Sequence, residues 1–516
     1  MANTQSTKLE LDLEHQKPNV AHIDEFDHVD AKRVDKEILQ YAAEQAVVID
    51  EQTNTRLKRK IDRRVLPVMV ITYFLQALDK GTLSFASIMG IKEETGLVGQ
   101  DYQWLTTCTY LAVLIWEFPT NWIVQRVPIG KYLSFNIIAW SISLAAHAAC
   151  KNFTHLVVVR TLLGIFECSC QPIFVVLSSM WYRREEQAAT VAFWYMMNGG
   201  QQIVGGILAY CFTLIQHARI YNWQILFLTY GCLSVVWGAF VGYYMPDSPM
   251  RAKCFSEEDK TLMVERVRSN QTGLQNRHFR REQLFEALRD PQCWAYPFIQ
   301  FFTALPTSGL GAFANIIISS FGFSILHTQL LAMVLGAYLI VILLGSAYLS
   351  RKLQQNIYLM IGFVIPSIIG TVVLMTVVND NTVTRRAALL FCYYLTLSFW
   401  ASSTLGLSML SRNVAGQTKK TCAIAMNFVG WAVGNTVGPQ VFRTTDAPRY
   451  IIAFAVHMGC YGLLIIMLVF LRIWLKRQNT IKDQKFLDGD AIPDIDLTHA
   501  FEDLTDMENP NFRYQF

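Results

Sequence analysis

Long apolar runs alternate with short polar breaks along most of the chain. Twelve of them are long enough to cross a bilayer as helices, which takes about 20 mostly apolar residues each. They cover 66–88, 102–125, 132–150, 154–181, 188–214, 223–245, 293–318, 325–349, 356–378, 386–410, 421–442 and 449–474. They fall into two sets of six, 66–246 and 293–474, of 181 and 182 residues, with a charged stretch from Asp247 to Asp290 between them. This pattern predicts an all-α membrane protein with twelve transmembrane helices in two six-helix bundles arranged as parallel repeats. Its units are an N-terminal tail (1–64), a first bundle (65–246), a central loop (247–292), a second bundle (293–475) and a C-terminal tail (476–516).

Composition agrees. Of 516 residues 52% are hydrophobic and 16% charged, against about a quarter charged in an average soluble domain. A net charge of +4 gives no footing for a nucleic-acid partner. Lys and Arg concentrate in alternate loops: Arg56 to Arg64 before the first span, then Arg126 and Lys131, Arg183 and Arg184, the central loop, Arg351 and Lys352, Arg412 to Lys420, and Arg472 to Arg477. The positive-inside rule then places both termini in the cytoplasm, as an even number of spans requires, and the chain reads as a multi-pass protein of the plasma membrane. Within the central loop, Ser256 with Asp259 makes a capping box that opens a helix through Arg268, and Arg280–Arg289 reads as a second. The loop is expected to be a solvated linker bracing the halves, and both acidic tails to be disordered. The eleven cysteines lie almost entirely in apolar stretches, and Cys168-Ser169-Cys170 lacks the partner pair that a zinc site needs.

An ionisable residue inside a span costs several kcal/mol unless it is paired or wet, so each is a functional candidate. The first half carries Asp79, Lys80, Glu117, His147, Arg160 and Glu167; the spans of the second half contain almost no buried charge apart from His457. Arg160 and Glu167, seven apart, share a helix face two turns (about 10 Å) from each other. Asp79 and Arg160 are expected to meet as an ion pair, leaving Lys80 and Glu167 to handle solute and proton. A Lys ammonium suits a carboxylate, and a desolvated carboxyl at the midplane suits a proton. The bland reading of the four is a set of static ion pairs between helices. His147 reads as packing, and Glu117 as pairing with Arg126 or Lys131. Thr307 and Asn435, among polar residues of the seventh and eleventh spans, are candidates for the rest of a solute cavity, whereas Gly199, Gly200, Gly205 and Gly206 read as helix packing. There is no nucleotide-binding glycine loop, no defensible catalytic triad and no aqueous metal cluster, so an enzyme is not expected.

At these residues the sequence resembles the major facilitator superfamily, and within it the fungal allantoate permease branch of the anion:cation symporter family. Leu78-Asp79-Lys80 resembles the family's first-helix acidic–basic pair, and Arg160-Thr-Leu-Leu-Gly164-Ile-Phe-Glu167 followed by Pro172 its fourth-helix signature. Pro246-Asp247-Ser248-Pro249 resembles the end of its sixth helix. Asn413-Val-Ala-Gly416-Gln-Thr418-Lys419-Lys420, Gly434-Asn435-Thr-Val-Gly438-Pro439-Gln440-Val-Phe442 and Asp446-Ala-Pro448-Arg449-Tyr450 resemble the allantoate permease branch. After the second span the chain departs from the superfamily's acidic and glycine pattern, reading Asn121-Trp-Ile-Val-Gln125-Arg126. The resemblance implies proton-coupled uptake of a small organic anion, such as allantoate, ureidosuccinate or a carboxylate vitamin, by a monomer in the bilayer. It implies no cofactor beyond the coupling proton. Lys80 then stands where the family binds a substrate carboxylate, Glu167 where it couples to protons, and Asp79 and Arg160 at its switching pair. The alternatives are an exporter of an acidic metabolite or toxin and a nutrient sensor that binds without transporting.

Overall fold

The computed structural model describes residues 49–124, 126–216, 219–268, 280–378, 380, 382–487, 504–509 and 512–516. Among them there are helices and no strands. A first helix, α1 (Glu51–Arg64), is opened by Asp50, which accepts from the Thr53 amide at 3.2 Å. The first six spans are α2 (Leu66–Ala86), α3 (Asp101–Val124), α4 (Ile129–Ala146), α5 with α6 (Phe153–Glu167 and Cys170–Trp181), α7 with α8 (Arg184–Tyr195 and Met197–Thr213) and α9 (Asn222–Tyr244). Two helices of the central segment follow, α10 (Glu257–Arg268) and α11 (Arg281–Arg289). The last six spans are α12 (Pro291–Ser320), α13 (Ile325–Leu353), α14 (Asn356–Thr376), α15 with α16 (Val383–Thr396 and Trp400–Asn413), α17 (Gln417–Val437) and α18 (Ile451–Leu487). All twelve apolar runs are thus helical, most of them within a few residues of the bounds that the hydropathy pattern predicts; α18 continues well past its apolar part.

Eight of these stretches are long and apolar enough to cross a membrane by length and composition alone. The other four, α2, α3, α7–α8 and α17, dilute their hydropathy with buried polar side chains such as Gln76, Gln103, Glu117, Gln201 and Asn427, and α2 also with the half-buried Lys80. All four pack against the opposite half. Within each half, small residues let backbones approach: a Cβ on Gly231 of α9 would meet the Ala145 amide of α4 at 2.7 Å, and one on Gly434 of α17 would meet Ala304 of α12 at 2.8 Å.

Among the described residues, the hydrogen bonds that join the halves lie at the end of the bundle away from the termini, called the distal end here. Tyr102 donates to the Ala312 carbonyl at 2.8 Å, Gln103 to Phe442 at 2.5 Å and Thr107 to Thr436 at 2.9 Å. Gln440 donates to Thr107 Oγ1, Gln329 to Thr213 Oγ1, and the Asn315 amide to Ser84 Oγ. Gly199 and Gly206 of α8 pack on α13, where added Cβ atoms would meet the Gly336 and Gln329 carbonyls at 2.7 and 2.6 Å. The packing role expected of these two glycines is therefore what the fold uses.

The end that holds the termini is organised differently, and it corrects three expectations. The polar N-terminal tail is not wholly irregular, since α1 occupies 51–64; residues 1–48 lie outside the described residues. The central segment is not simply a solvated linker. α10 is clamped to the first half through the fully buried Arg266, which reaches both Glu186 oxygens at 2.6 Å, Asn54 Oδ1 at 2.7 Å and the Trp181 carbonyl at 3.3 Å. Asp259 adds ion pairs to Arg56 (3.2 Å) and Lys60. Burial would raise the Asp259 carboxyl, but the bonds from Lys60 and Ser256 and the Arg56 charge outweigh it and leave its pKa below the usual carboxylate value.

The second half has its own clamp, in which the C-terminal tail takes part instead of being disordered throughout. The Lys419 side chain is wholly buried and lies 2.9 Å from Glu286, 2.8 Å from Asp290 and 2.9 Å from Asp506. Tyr514 donates to Asp506 at 2.8 Å, Asn413 to the Gln515 carbonyl at 2.9 Å, and Lys482 to the carbonyls of Asp506 and Asn509. Burial opposes the Lys419 charge, yet its carboxylates prevail and hold its pKa above the ordinary lysine value; burial pushes the Asp290 carboxyl up.

Candidate functional site

A cleft between the halves gathers side chains from five helices, α2, α3, α5, α17 and, through Gln171, α6. α2 contributes Gln76, Lys80 and Leu83; α3 contributes Thr106, Tyr110, Val113 and Glu117; α5 contributes Arg160, Leu163 and Glu167; α17 contributes Phe428 and Trp431. These residues follow three- and four-residue steps along one face of each helix, and Thr109, Cys168 and Gln171 widen the lining beside them. The space that water can occupy is about 50 Å³, against about 610 Å³ when the open mouth is counted. The cleft is therefore narrow: it holds a few waters, and a solute must part its walls.

Lys80 and Glu167 form an ion pair at 3.2 Å, with the Lys80 side chain about a third open to the cleft (34%) and Glu167 almost closed off (2%). The backbone positions Glu167. The helix breaks between α5 and α6 just beyond it, where Pro172 has no N–H to give and its ring crowds the carbonyl four residues back. Gln76 donates to the Glu167 carbonyl at 3.1 Å, tying the break to α2 one turn before Lys80.

The expected Asp79–Arg160 ion pair does not form. Neighbours on a helix point about 100° apart, so while Lys80 faces the cleft, Asp79 faces into the first half, where Trp140 Nε1 donates to its Oδ2 at 3.1 Å and Oδ1 has no partner. Arg160 lines the cleft, 3% exposed, with Nε and Nη2 unpartnered and its guanidinium 5.8 Å from the centre of the Phe227 ring. Among the described residues no carboxylate lies within ion-pair distance of it, and it is a cation in the cavity wall.

Three other expectations are revised. Glu117 pairs with neither Arg126 nor Lys131; Arg126 stacks on Trp122 at 3.7 Å, and Glu117 faces the cleft. Thr307 and Asn435 do not line it: Thr307 donates to the Thr303 carbonyl and Asn435 to the Trp431 carbonyl, each at 2.8 Å on its own helix. His147 packs as expected, its ring stacked on Phe227 at 4.7 Å and Nδ1 2.9 Å from the Ser143 carbonyl. Sequence reasoning passed over Gln76, Tyr110, Phe428 and Trp431, although the signal was present. Gln76 is four residues from Lys80, and Tyr110 seven from Glu117, so the helical period carried both into the cleft.

Twelve helices in two halves, with a charged cleft between them, define a membrane transporter, not an enzyme. The chain belongs to the Major Facilitator Superfamily, whose family model matches residues 69–439. The thiamine pathway transporter of Saccharomyces cerevisiae is 32% identical, covering 92% of this chain and 90% of its own. The allantoate permease of the same yeast is 30% identical, covering 91% and 88%. Among solved structures, a D-xylose–proton symporter overlays with a TM-score of 0.59 at 12% identity, over 79% of this chain and 96% of its own, which is a likeness of fold.

Proposed function

We propose that the protein is a proton-coupled symporter that imports a small organic carboxylate across the plasma membrane by alternating access, as a monomer with both termini in the cytoplasm. The observation that carries this reading is the Lys80–Glu167 pair facing the cleft at 3.2 Å. An incoming carboxylate can use the Lys80 ammonium fully only when Glu167 gives it up, and a proton on Glu167 does that by removing its charge. Anion and proton therefore favour each other's binding at one ion pair, which is a coupling free energy in the ordinary sense. Arg160, in the same wall, adds attraction for the anion. Asp79, held by Trp140 behind Lys80, is placed to sense which way the α2 helix turns. Energetics favour the proton: entry of an anion against a negative interior costs about 2.3 kcal/mol per charge per 100 mV, and one proton per monovalent anion cancels it. Of the two relatives, the allantoate permease is named for a carboxylate and the thiamine pathway transporter is not. The charges in the cleft favour the carboxylate.

The test is uptake of labelled carboxylates, allantoate among them, into proteoliposomes with an imposed pH gradient, acid outside. Accumulation should follow the gradient. Lys80→Ala should abolish it, and Glu167→Gln should leave exchange without acid-driven accumulation. Uptake that ignores the gradient, or that survives in both variants, refutes the symport reading; acid-driven expulsion in place of uptake points to an exporter.

A further inference from the structure

One aromatic contact in the cleft plays no part in the ion-pair exchange. Tyr110 of α3 and Trp431 of α17 meet edge to face across the boundary between the halves, with 5.8 Å between ring centres and 82° between planes. Phe428, one turn from Trp431, lies 5.4 Å from it at 33° and extends the same wall. All three line the cavity and are half-buried, so each keeps part of its ring open to a solute. An aromatic face bared to a solute cavity is a stacking surface.

Hydrogen bonds on either side fix where this surface stands and how far it can open. Thr109, the neighbour of Tyr110, donates to the Arg160 carbonyl at 3.3 Å, which sets Tyr110 level with Arg160. Glu167, with Lys80 paired to it, is two turns further on, about 10 Å along the axis. A carboxylate held by these cations therefore carries the body of its solute against Tyr110 and Trp431. Towards the distal end, Thr107 donates to the Thr436 carbonyl and its hydroxyl accepts from Gln440, both at 2.9 Å. These bonds join α3 to α17 three residues before Tyr110 and five after Trp431, about 4.5 and 7.5 Å along their axes. With the helices tied so near, the aromatic walls have little room to part.

We infer that Tyr110 and Trp431 are specificity-determining residues that form a slot for a flat conjugated group. The transporter then prefers a carboxylate built on an aromatic ring or a ureido plane over one built on a saturated ring or chain. This rests on the carboxylate reading above and narrows it. Two rings stacked on a flat guest stand about 7 Å apart, twice the carbon contact distance of about 3.5 Å. That is only about 1 Å more than the 5.8 Å they now keep. A saturated ring is thicker by its axial hydrogens, and a branched chain by its tetrahedral carbons; each needs a wider slot and turns no flat face to the walls. Because one wall belongs to each half, a flat guest joins the halves as they close, whereas a thick one props them apart. Allantoate and ureidosuccinate, each with a flat ureido group, pass this filter.

The test compares two pairs of acids in proteoliposomes with acid outside, counting uptake above that into protein-free liposomes. Benzoate is set against cyclohexanecarboxylate, the same skeleton with a saturated ring. Ureidoacetate is set against isocaproate, the same heavy-atom branching without the plane. The full-length wild-type protein should take up the flat member of at least one pair about tenfold faster. Trp431→Phe, which keeps a ring, should keep most of that preference, and Trp431→Leu should reduce it to about two- to threefold. Tyr110→Leu asks the same question of the other wall if Trp431→Leu does not fold. Equal uptake within both pairs, or faster uptake of the saturated members, overturns the inference while leaving the carboxylate reading intact. So does a flat preference that survives both leucine variants, because the plane is then read elsewhere. Uptake of other carboxylates with neither pair carried also overturns it. Failure of every carboxylate removes the carboxylate reading and the inference with it.

Discussion

Replacing Lys419 by Met removes the cation shared by Glu286, Asp290 and Asp506. The Glu286 side chain is 21% exposed and can turn to water; those of Asp290 and Asp506, at 1% and 0%, cannot. Two carboxylates then share a closed site, and at least one must take a proton for the fold to persist. Holding an Asp of ordinary pKa near 3.9 protonated at pH 7 costs about 1.36 kcal/mol per unit over about three units, or roughly 4 kcal/mol. That agrees with the 3–5 kcal/mol typical of breaking a buried pair from one side. The pH dependence has a definite sign. In the variant the folded state binds a proton that the unfolded segment does not, so its stability rises as pH falls, and the deficit shrinks to about 1.5 kcal/mol at pH 5. Amide hydrogen exchange of residues 281–290 and 504–516 in detergent micelles, corrected for intrinsic rates, reads the opening free energy of this clamp. An unchanged opening free energy in Lys419→Met, or a deficit as large at pH 5 as at pH 7, refutes the reasoning.

Two further substitutions test the packing of the halves. Tyr102→Phe removes the bond to the Ala312 carbonyl, worth about 0.5–1.5 kcal/mol; it should raise the open population of the distal end by roughly two- to tenfold, seen as faster maleimide labelling of Ser84→Cys in a cysteine-free background, and an unchanged rate counts against that bond holding the halves. Gly231→Ala forces a Cβ to within 2.7 Å of the Ala145 amide and should cost about 1–3 kcal/mol, read as lower monodispersity after heating, whereas Gly459→Ala, which meets nothing within 4 Å, should behave as wild type.

The twelve spans were legible because each is a run of apolar residues longer than a globular core helix needs, and no tertiary contact has to be known to see one. The charged residues of the cleft were legible for the complementary reason: in an apolar span a Lys or Glu stands out by its cost. Their pairing was not. Asp79 and Lys80 are neighbours in sequence but diverge around the helix, and which of them reaches the cleft depends on how α2 is rotated against α4 and α5. Thr307 and Asn435 show the converse limit, since a polar side chain on a helix can satisfy itself on a carbonyl four residues back and looks the same in sequence as one that faces a cavity. The Lys419 clamp was hidden because its carboxylates come from α11, the start of α12 and the far C-terminus, over two hundred positions apart along the chain.

The two ends of the bundle differ in the kind of bond they use, and the difference bears on where movement is cheap. At the terminal end each half is braced by a buried ionic clamp of its own, Arg266 on Glu186 in the first and Lys419 on three carboxylates in the second. Breaking either costs several kcal/mol. Among the described residues, the bonds between the halves, at the distal end, are neutral hydrogen bonds from Tyr102, Gln103, Thr107, Gln329, Gln440 and the Asn315 amide, each net worth about 0.5–1.5 kcal/mol and each replaceable by water. Bonds inside a half are therefore stronger than bonds between halves, which is the condition for two bodies to rock against each other without deforming. The narrow cleft sits on that boundary, and in the proposed cycle the Lys80–Glu167 pair that opens to admit anion and proton lies entirely in the first half. Loading can then change the charge of the moving surface without loosening the body that carries it.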